Sequence, residues 1–245
     1  MKKFFLLATA FLIGCCAANS QILLTQELEK YAMERYGEKW VDAADSLGKV
    51  CGLNKNKALP FVQVINAEGK NKHELYIALN HWYTMTFNDV NAVIKLNDKD
   101  LGVIIGKDLG VIIGEGYLSD IAGHVGGINT YFVSIRPVIK SEIKDGKVRI
   151  TYSVPYYQVE KIAGGIVGML AKSFSNKLTG TTDNAVTQIN ENWVIDKCFP
   201  FAPKDKHKKA SSKAFVMAYA YSNVFMDKIE EYVKNGMVGN EDDNW

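Results

Sequence analysis

Between Asn129 and Gln158 the chain alternates apolar and polar residues with a period of two. Tyr131, Val133 and Ile135 form one apolar series, and Val148, Ile150, Tyr152 and Val154 form a second, with Lys147, Arg149, Thr151 and Ser153 between them. Two is the period of a strand: successive side chains point to opposite faces, so each run has one oily face and one wet face. Between the runs stands Asp145-Gly146, a dipeptide that accepts positive φ at both central positions of a type I′ turn, whose twist suits paired strands. The stretch is predicted to be a β-hairpin lying on a hydrophobic core.

The rest of the chain supplies further strands and the helices to cover them. From Thr25 to Val50, Leu28, Tyr31, Ala32, Trp40, Ala44 and Leu47 recur at helical spacing, with Gly37 bending or dividing the helix. Pro60 to Ile65 reads as a short strand. Asn71 and Glu74 make a capping box at the head of the next helix, whose stripe is Leu75, Leu79 and Trp82 with Tyr76 and Tyr83 beside it. Val90, Ala92, Ile94 and Leu96 alternate as a strand. Near the other end, Ser211 or Ser212 is expected to cap a long helix with the stripe Ala214, Met217, Ala218, Tyr221, Val224, Phe225, Ile229, Tyr232 and Val233, closed by Lys234-Asn235-Gly236. Strands clustered together, rather than alternating with helices, predict an α+β domain: an antiparallel sheet covered on one face by helices.

Residues 99–106 and 107–114 are the same octapeptide, Lys-Asp-Leu-Gly-Val-Ile-Ile-Gly, in tandem. Eight is even, so the duplication keeps the in-and-out phase of a strand, but it adds about 26 Å of strand. One copy is therefore expected in the sheet and the other outside it. The glycine-rich segment from Gly114 to Asn129 is expected to be a loop, and Ser173 to Asn192, polar and threonine-rich, a mobile connection.

The first residues read as a signal peptide: Met1-Lys2-Lys3 is the positive end, and Phe4 to Ile13 is an apolar run too short to span a bilayer. The protein is accordingly expected to be exported, to the periplasm or a membrane-anchored place in the cell envelope. Two processing sites compete. Leu12-Ile13-Gly14-Cys15 resembles a lipobox, which would make Cys15 a lipidated first residue, and Ala18-Asn19-Ser20 suits ordinary signal peptidase. With 29 basic and 27 acidic side chains in the full chain, loss of Lys2 and Lys3 leaves 27 of each. A nucleic-acid partner needs a cationic surplus to displace counterions, and this balance argues against one. A lipid anchor is the one membrane contact foreseen. Cys51 and Cys198 could pair in an exported compartment or stay as two separate thiols.

The runs His73-Glu74-Leu75-Tyr76 through Trp82, Val93-Ile94-Lys95-Leu96 with Asp98, Gly110-Val111-Ile112-Ile113-Gly114-Glu115-Gly116, and Ile143-Lys144-Asp145-Gly146-Lys147-Val148-Arg149 resemble a family of secreted bacterial proteins catalogued as a domain of unknown function with a TATA-binding-protein-like (TBP-like) fold. The resemblance covers roughly residues 58–158, and the closing helix also resembles members of the family. In the family pattern the Ile-Ile-Gly segment occurs once, so its doubling here is a departure. The resemblance implies a TBP-like antiparallel sheet and carries no catalytic residues across. The resulting organisation is a signal peptide at 1–20, a helical prefix at 21–57, the sheet domain at 58–158, an irregular insertion at 159–210, a helix at 211–236 and a polar tail at 237–245.

Motifs for chemistry are sparse. The four histidines, His73, His81, His124 and His207, lack metalloprotease spacing, and no Cys-x-x-Cys occurs, so no metal or other cofactor is expected. Ser141-Glu142-Ile143-Lys144 spells Ser-x-x-Lys, but on a strand those two side chains point to opposite faces. The basic run Lys204 to Lys209 and the acidic Glu241, Asp242 and Asp243 read as solvated charge clusters. Candidate binding residues are Tyr152, Tyr156 and Tyr157 around Pro155, and Asp120 with His124 in the glycine-rich segment. The expectation is a non-catalytic envelope protein that binds an unidentified envelope protein or ligand. The alternative is an envelope hydrolase or transferase using Asp120 and His124.

Overall fold

The computed structural model describes residues 25–86, 94–97, 110–126, 129–163 and 188–235. In chain order the elements are α1 (Thr25–Tyr36), a 3-10 turn (Trp40–Asp42), α2 (Ala43–Val50), β1 (Leu59–Asn66), α3 (Lys72–Thr86), β2 (Ile94–Asn97), β3 (Gly110–Glu115), β4 (Leu118–Val125), β5 (Asn129–Ile135), β6 (Val138–Lys144), β7 (Lys147–Val154), β8 (Tyr156–Ala163), β9 (Gln188–Val194), a second 3-10 turn (Ile195–Lys197) and α4 (Lys208–Asn235).

The strands form two antiparallel sheets, ordered β1-β7-β6-β3-β2 and β4-β5-β8-β9. Three pairs of strands are single runs of chain bent at the same level. Gly116-Tyr117 separates β3 from β4, Arg136-Pro137 separates β5 from β6, and Pro155 separates β7 from β8. Proline lacks an N–H for the ladder and holds φ near −65°, so Pro137 and Pro155 interrupt a strand without ending it. At Gly116 the neighbouring strand comes close: a Cβ there would stand 3.2 Å from Pro137 Cγ, while the Gly116 N–H donates to the Pro137 carbonyl at 2.9 Å.

The trough between the sheets holds α4. Sixteen of its residues are buried, more than a single apolar stripe requires, because strands of both sheets pack on one side and α1, α2 and α3 on others. Phe225 meets Trp82 of α3 edge-on at 5.2 Å and Tyr152 of β7 at 5.3 Å. The Tyr83 and Ser141 hydroxyls hydrogen-bond at 2.8 Å, tying α3 to β6. Ser141 is buried and Lys144 exposed, as opposite faces of a strand require.

The antiparallel α+β architecture and the capping box are as expected. The Asn71 N–H donates to Glu74 Oε2 at 2.8 Å, and the Glu74 N–H to Asn71 Oδ1 at 3.0 Å. The prefix divides at Gly37 into α1 and α2. Several expectations need correction. The Asp145-Gly146 turn joins β6 to β7 in the register Lys144↔Lys147, whereas the run at 131–135 lies in β5 and pairs with β8, Ile135 opposite Tyr157. Among the turn's central pair only Gly146 has positive φ, +70°, so the turn is not type I′. It is instead docked on the head of α3: the Lys72 N–H donates to Asp145 Oδ1 at 2.7 Å and the Gly146 N–H to the Lys70 carbonyl at 2.9 Å.

The glycine-rich segment from Gly114 to Asn129 is not a loop, since Leu118–Val125 is β4. Gln188 to Asn192 of the connection read as mobile belongs to β9. α4 begins at Lys208, ahead of Ser211 and Ser212, because Asp205 organises its approach. Cys51 and Cys198 are separate thiols, half-buried and buried. Of the repeat, Gly110–Gly114 lies in β3, with Ile112 on its buried face. The stretch read as a signal peptide with Cys15, the first copy of the octapeptide and the acidic tail lie outside the described residues, within which no helix is long and apolar enough to cross a membrane.

Candidate functional site

Residues from three separated stretches meet where α4 begins. The end of the β4–β5 hairpin contributes His124, Asn129 and Tyr131, β9 contributes Trp193, and the turn into α4 and its first residues contribute Lys206, His207, Lys208 and Lys209. Asp205 shapes that turn. Its carboxylate accepts the Phe199 N–H at 3.0 Å, the His207 N–H at 2.8 Å and the Ser211 hydroxyl. This fixes His207 with its ring stacked on Trp193, centroids 4.3 Å apart and planes 12° from parallel, and with Tyr131 5.1 Å away. Trp193 Nε1 donates to Glu191 at 2.8 Å.

Two clefts open on either side of Lys206 and His207. One, of about 550 Å³, is lined by His124, Tyr131, Lys206, His207, Lys208 and Lys209 among others, and among the described residues its lining contains no carboxylate. The other, of about 450 Å³, includes Trp193, Lys197, Cys198, Lys204 and the two acids Glu191 and Asp205. Burial, then Lys209 and Lys213, hold His124 below the usual histidine range. Burial, then Lys206, do the same to His207, against the opposing pull of Asp205 and Glu191. Both rings are therefore predominantly neutral at pH 7. The Cys198 thiol is pushed up to about 12 by burial first and Asp205 second, so it stays protonated and is no nucleophile. Among the described residues no group of three or more His, Cys, Asp or Glu is placed to hold a metal ion.

Asp120 and His124 both lie on β4, four positions apart, and are not brought together. Asp120 sits at a β-bulge with φ +49°, its N–H donating to Ser134 Oγ at 3.0 Å and its carbonyl accepting from Thr25 Oγ1 at 3.2 Å. The bulge fixes backbone, and the ionisation of His124 answers to burial and two lysines rather than to Asp120. The tyrosine surface is also corrected. Tyr152 is 0% and Tyr157 1% exposed, both in the core with their ionisation pushed well up by burial, which leaves Tyr156 alone half-buried. Of the five candidate binding residues named from the sequence, His124 alone lines the cleft. Lys206, His207 and Lys209 were visible as part of a basic run ahead of a helix, but Tyr131 and Trp193 come from strands 62 positions apart and left no joint local trace.

A third small cleft, of about 240 Å³, lies on the outer face of the five-stranded sheet and is lined by Val64, Glu142, Lys144, Lys147 and Arg149. There Glu142 accepts from Arg149 Nε at 2.8 Å and pairs with Arg149 Nη2 at 2.7 Å and Lys140 Nζ at 3.0 Å. The Arg149 hydrogen bond is the main reason its carboxyl is lowered to about 2, with Lys140 reinforcing it against burial.

These features define an α+β protein with a bent antiparallel sheet wrapped on a central helix and a basic cleft at that helix's head. Residues 61–158 match the family described as a domain of unknown function (DUF4468) with TBP-like fold, which bears out the resemblance carried by that stretch. Two crystal structures are similar at low identity. A TBP-like protein from Parabacteroides distasonis ATCC 8503 is 11% identical with a TM-score of 0.42, over 73% of this chain and 96% of that one. A DUF4468 family protein from Bacteroides ovatus ATCC 8483 is 12% identical with a TM-score of 0.37, over 71% and 86%. No curated protein matches the chain.

Proposed function

We propose that the protein is an exported, non-catalytic module of the cell envelope that binds its ligand in the cleft at the head of α4. The observation that carries this reading is the convergence of His124, Lys206, His207 and Lys209 on a concave surface whose lining, among the described residues, has no acid. Concave sites with a few convergent polar groups are the usual places for ligands. Catalysis has less support there. The Ser211 hydroxyl is buried and donates to Asp205, the His207 ring is stacked on Trp193, and the Cys198 thiol is protonated. The separation of Asp120 from His124 removes the geometric support for a hydrolase or transferase built on that pair.

Export rests on the leader-like first residues, and a lipid anchor on Cys15. Fractionation of cells expressing the full chain is expected to find it in the envelope. Incorporation of labelled palmitate that survives Cys15→Ala would exclude Cys15 as the acylated residue. The site itself is tested by capture from the organism's own envelope extract, comparing the wild type with the double variant Lys206→Glu/Lys209→Glu. The variant is expected to lose what the wild type retains, and an unchanged set of retained molecules would place the ligand elsewhere.

A further inference from the structure

We propose that the 550 Å³ cleft takes a phosphate-class anion, borne by a soluble ester or by a lipid headgroup, and that His124 and His207 take up protons as the anion enters. The inference rests on the preceding reading of the cleft as the ligand site and adds the chemistry of what fills it.

Among the described residues, the lining of this cleft carries lysines and no acid. Asp205 and Glu191 line the neighbouring cleft, where Asp205 accepts two backbone N–H groups and the Ser211 hydroxyl and Glu191 accepts from Trp193. Two neighbouring lysines are engaged: Lys208 Nζ lies 4.2 Å from the centroid of the Phe199 ring, and Lys213 Nζ donates to the Gly123 carbonyl at 3.2 Å. Lys206 and Lys209 line the cleft, and among the described residues neither has a carboxylate partner. The lining contains no arginine. Arginine's rigid fork suits planar, bidentate partners, whereas ammonium groups on flexible stems act as point charges and suit a tetrahedral oxyanion whose oxygens face several directions. Lysines with imidazoles between them therefore favour phosphate over carboxylate.

The charges facing each ring set the direction of the proton linkage. His124 faces Lys209 and Lys213 from α4. His207 faces Lys206 and Asp205 of its own turn, Glu191 from β9 and Lys161 from β8, with the rings of Trp193 and Tyr131 packed on it. In the empty cleft burial and the lysines oppose an imidazolium, so each ring titrates below its ordinary value. A dianion among the lysines reverses their effect and favours the charged ring. The bound state then holds more protons than the free state, so affinity rises as pH falls through the bound-state pKa and levels off below the free-state one.

Isothermal calorimetry of the full chain with sodium sulfate and with inorganic phosphate, at pH 7.5 and 5.5 and in two buffers of different ionisation heat, tests this. Sulfate keeps its charge across that range, so its pH dependence belongs to the protein. A shift of one pKa unit in one histidine is expected to tighten sulfate binding severalfold, with a ceiling of about tenfold, between the two pH values, with net proton uptake. Both effects are expected to vanish in His124→Gln/His207→Gln. Histidine NMR resonances, assigned through those variants, are expected to titrate at higher pH with sulfate present. Sedimentation with vesicles of phosphatidylglycerol and phosphatidylcholine at pH 5.5 would assign the anion to a lipid, and binding of the inorganic anions without vesicle binding would assign it to a soluble ester. Sulfate affinity that does not change with pH, or histidine resonances that do not move, overturns the proposal. If that happens while Lys206→Glu/Lys209→Glu still loses the envelope ligand, the cleft stands and its assigned chemistry falls. If the double variant keeps that ligand, the site itself is wrong. Lys206 and Lys209 are exposed, and unchanged thermal melting confirms that their variants fold.

Discussion

Glu142 on the outer face of the five-stranded sheet is ringed by Arg149 and Lys140 and lowered to about 2, whereas His124 and His207 at the head of α4 stand among lysines and are held below their ordinary value. The first patch holds its one carboxylate in ion pairs within hydrogen-bond distance. The second leaves its charge open to whatever approaches. Equal numbers of acids and bases in the chain beyond Lys2 and Lys3 conceal this contrast, because net charge is a sum and the field at a site depends on where the terms sit. The neutrality that argues against a long polyanionic partner therefore says nothing against one small anion in one cleft.

The largest expected effect tests what the two patches share. Phe225→Ala, which empties the contact of α4 with Trp82 and Tyr152, is expected to lower stability by about 3–5 kcal/mol in urea denaturation. A loss under about 1 kcal/mol would mean that α4 is not the common support. Next comes the turn beside the ion-paired patch. Gly146→Val forces a branched residue to φ +70° in otherwise open space, and is expected to lose about 1–2 kcal/mol from backbone strain alone. Unchanged stability would contradict that turn geometry.

Smaller effects separate the patches by sign. Glu142→Gln is expected to lose under about 1 kcal/mol at pH 7, because the pair is largely solvent-screened. Its pH dependence is the sharper measure. A carboxyl lowered from 4.5 to about 2 stabilises the fold fully above pH 4.5, and loses that contribution as pH falls toward 2. The variant's acid unfolding curve is expected to be flatter across that window. Lys206→Gln, in the open patch, is expected to change stability at pH 7 by no more than about 0.5 kcal/mol. It is also expected to raise the pKa of His207 in an NMR titration, since Lys206 pushes it down. A histidine lowered by folding destabilises the protein as pH falls below 6.5, and this variant is expected to show less of that loss. A fall in the His207 pKa would erase the contrast.

Local pattern announced the elements whose causes are local. The capping box needs only Asn71 and Glu74, and the buried stripe of α4 needs only its own periodicity. Pairing was harder. Arg136-Pro137 breaks the alternation, so the run at 131–135 looked like the partner of 148–154, while the strand between them, Val138–Lys144, escaped notice. Glycines misled for a related reason. At Gly116 the glycine answers to the closeness of Pro137, 21 positions away, and a tally of glycines mistakes that for a loop. The cleft was least legible because Tyr131, Trp193 and His207 meet only once β5, β8 and β9 have paired and the approach to α4 has closed over them.

The three bent strands bear on how the molecule comes apart. Without them the five-stranded sheet retains only β1 and β2, which occupy opposite edges and do not touch, and the four-stranded sheet retains β9 by itself. Neither half has enough of its own to survive the loss of the other. A protease that nicks one corner therefore weakens both halves at once, and heat dissolves them in a single cooperative transition.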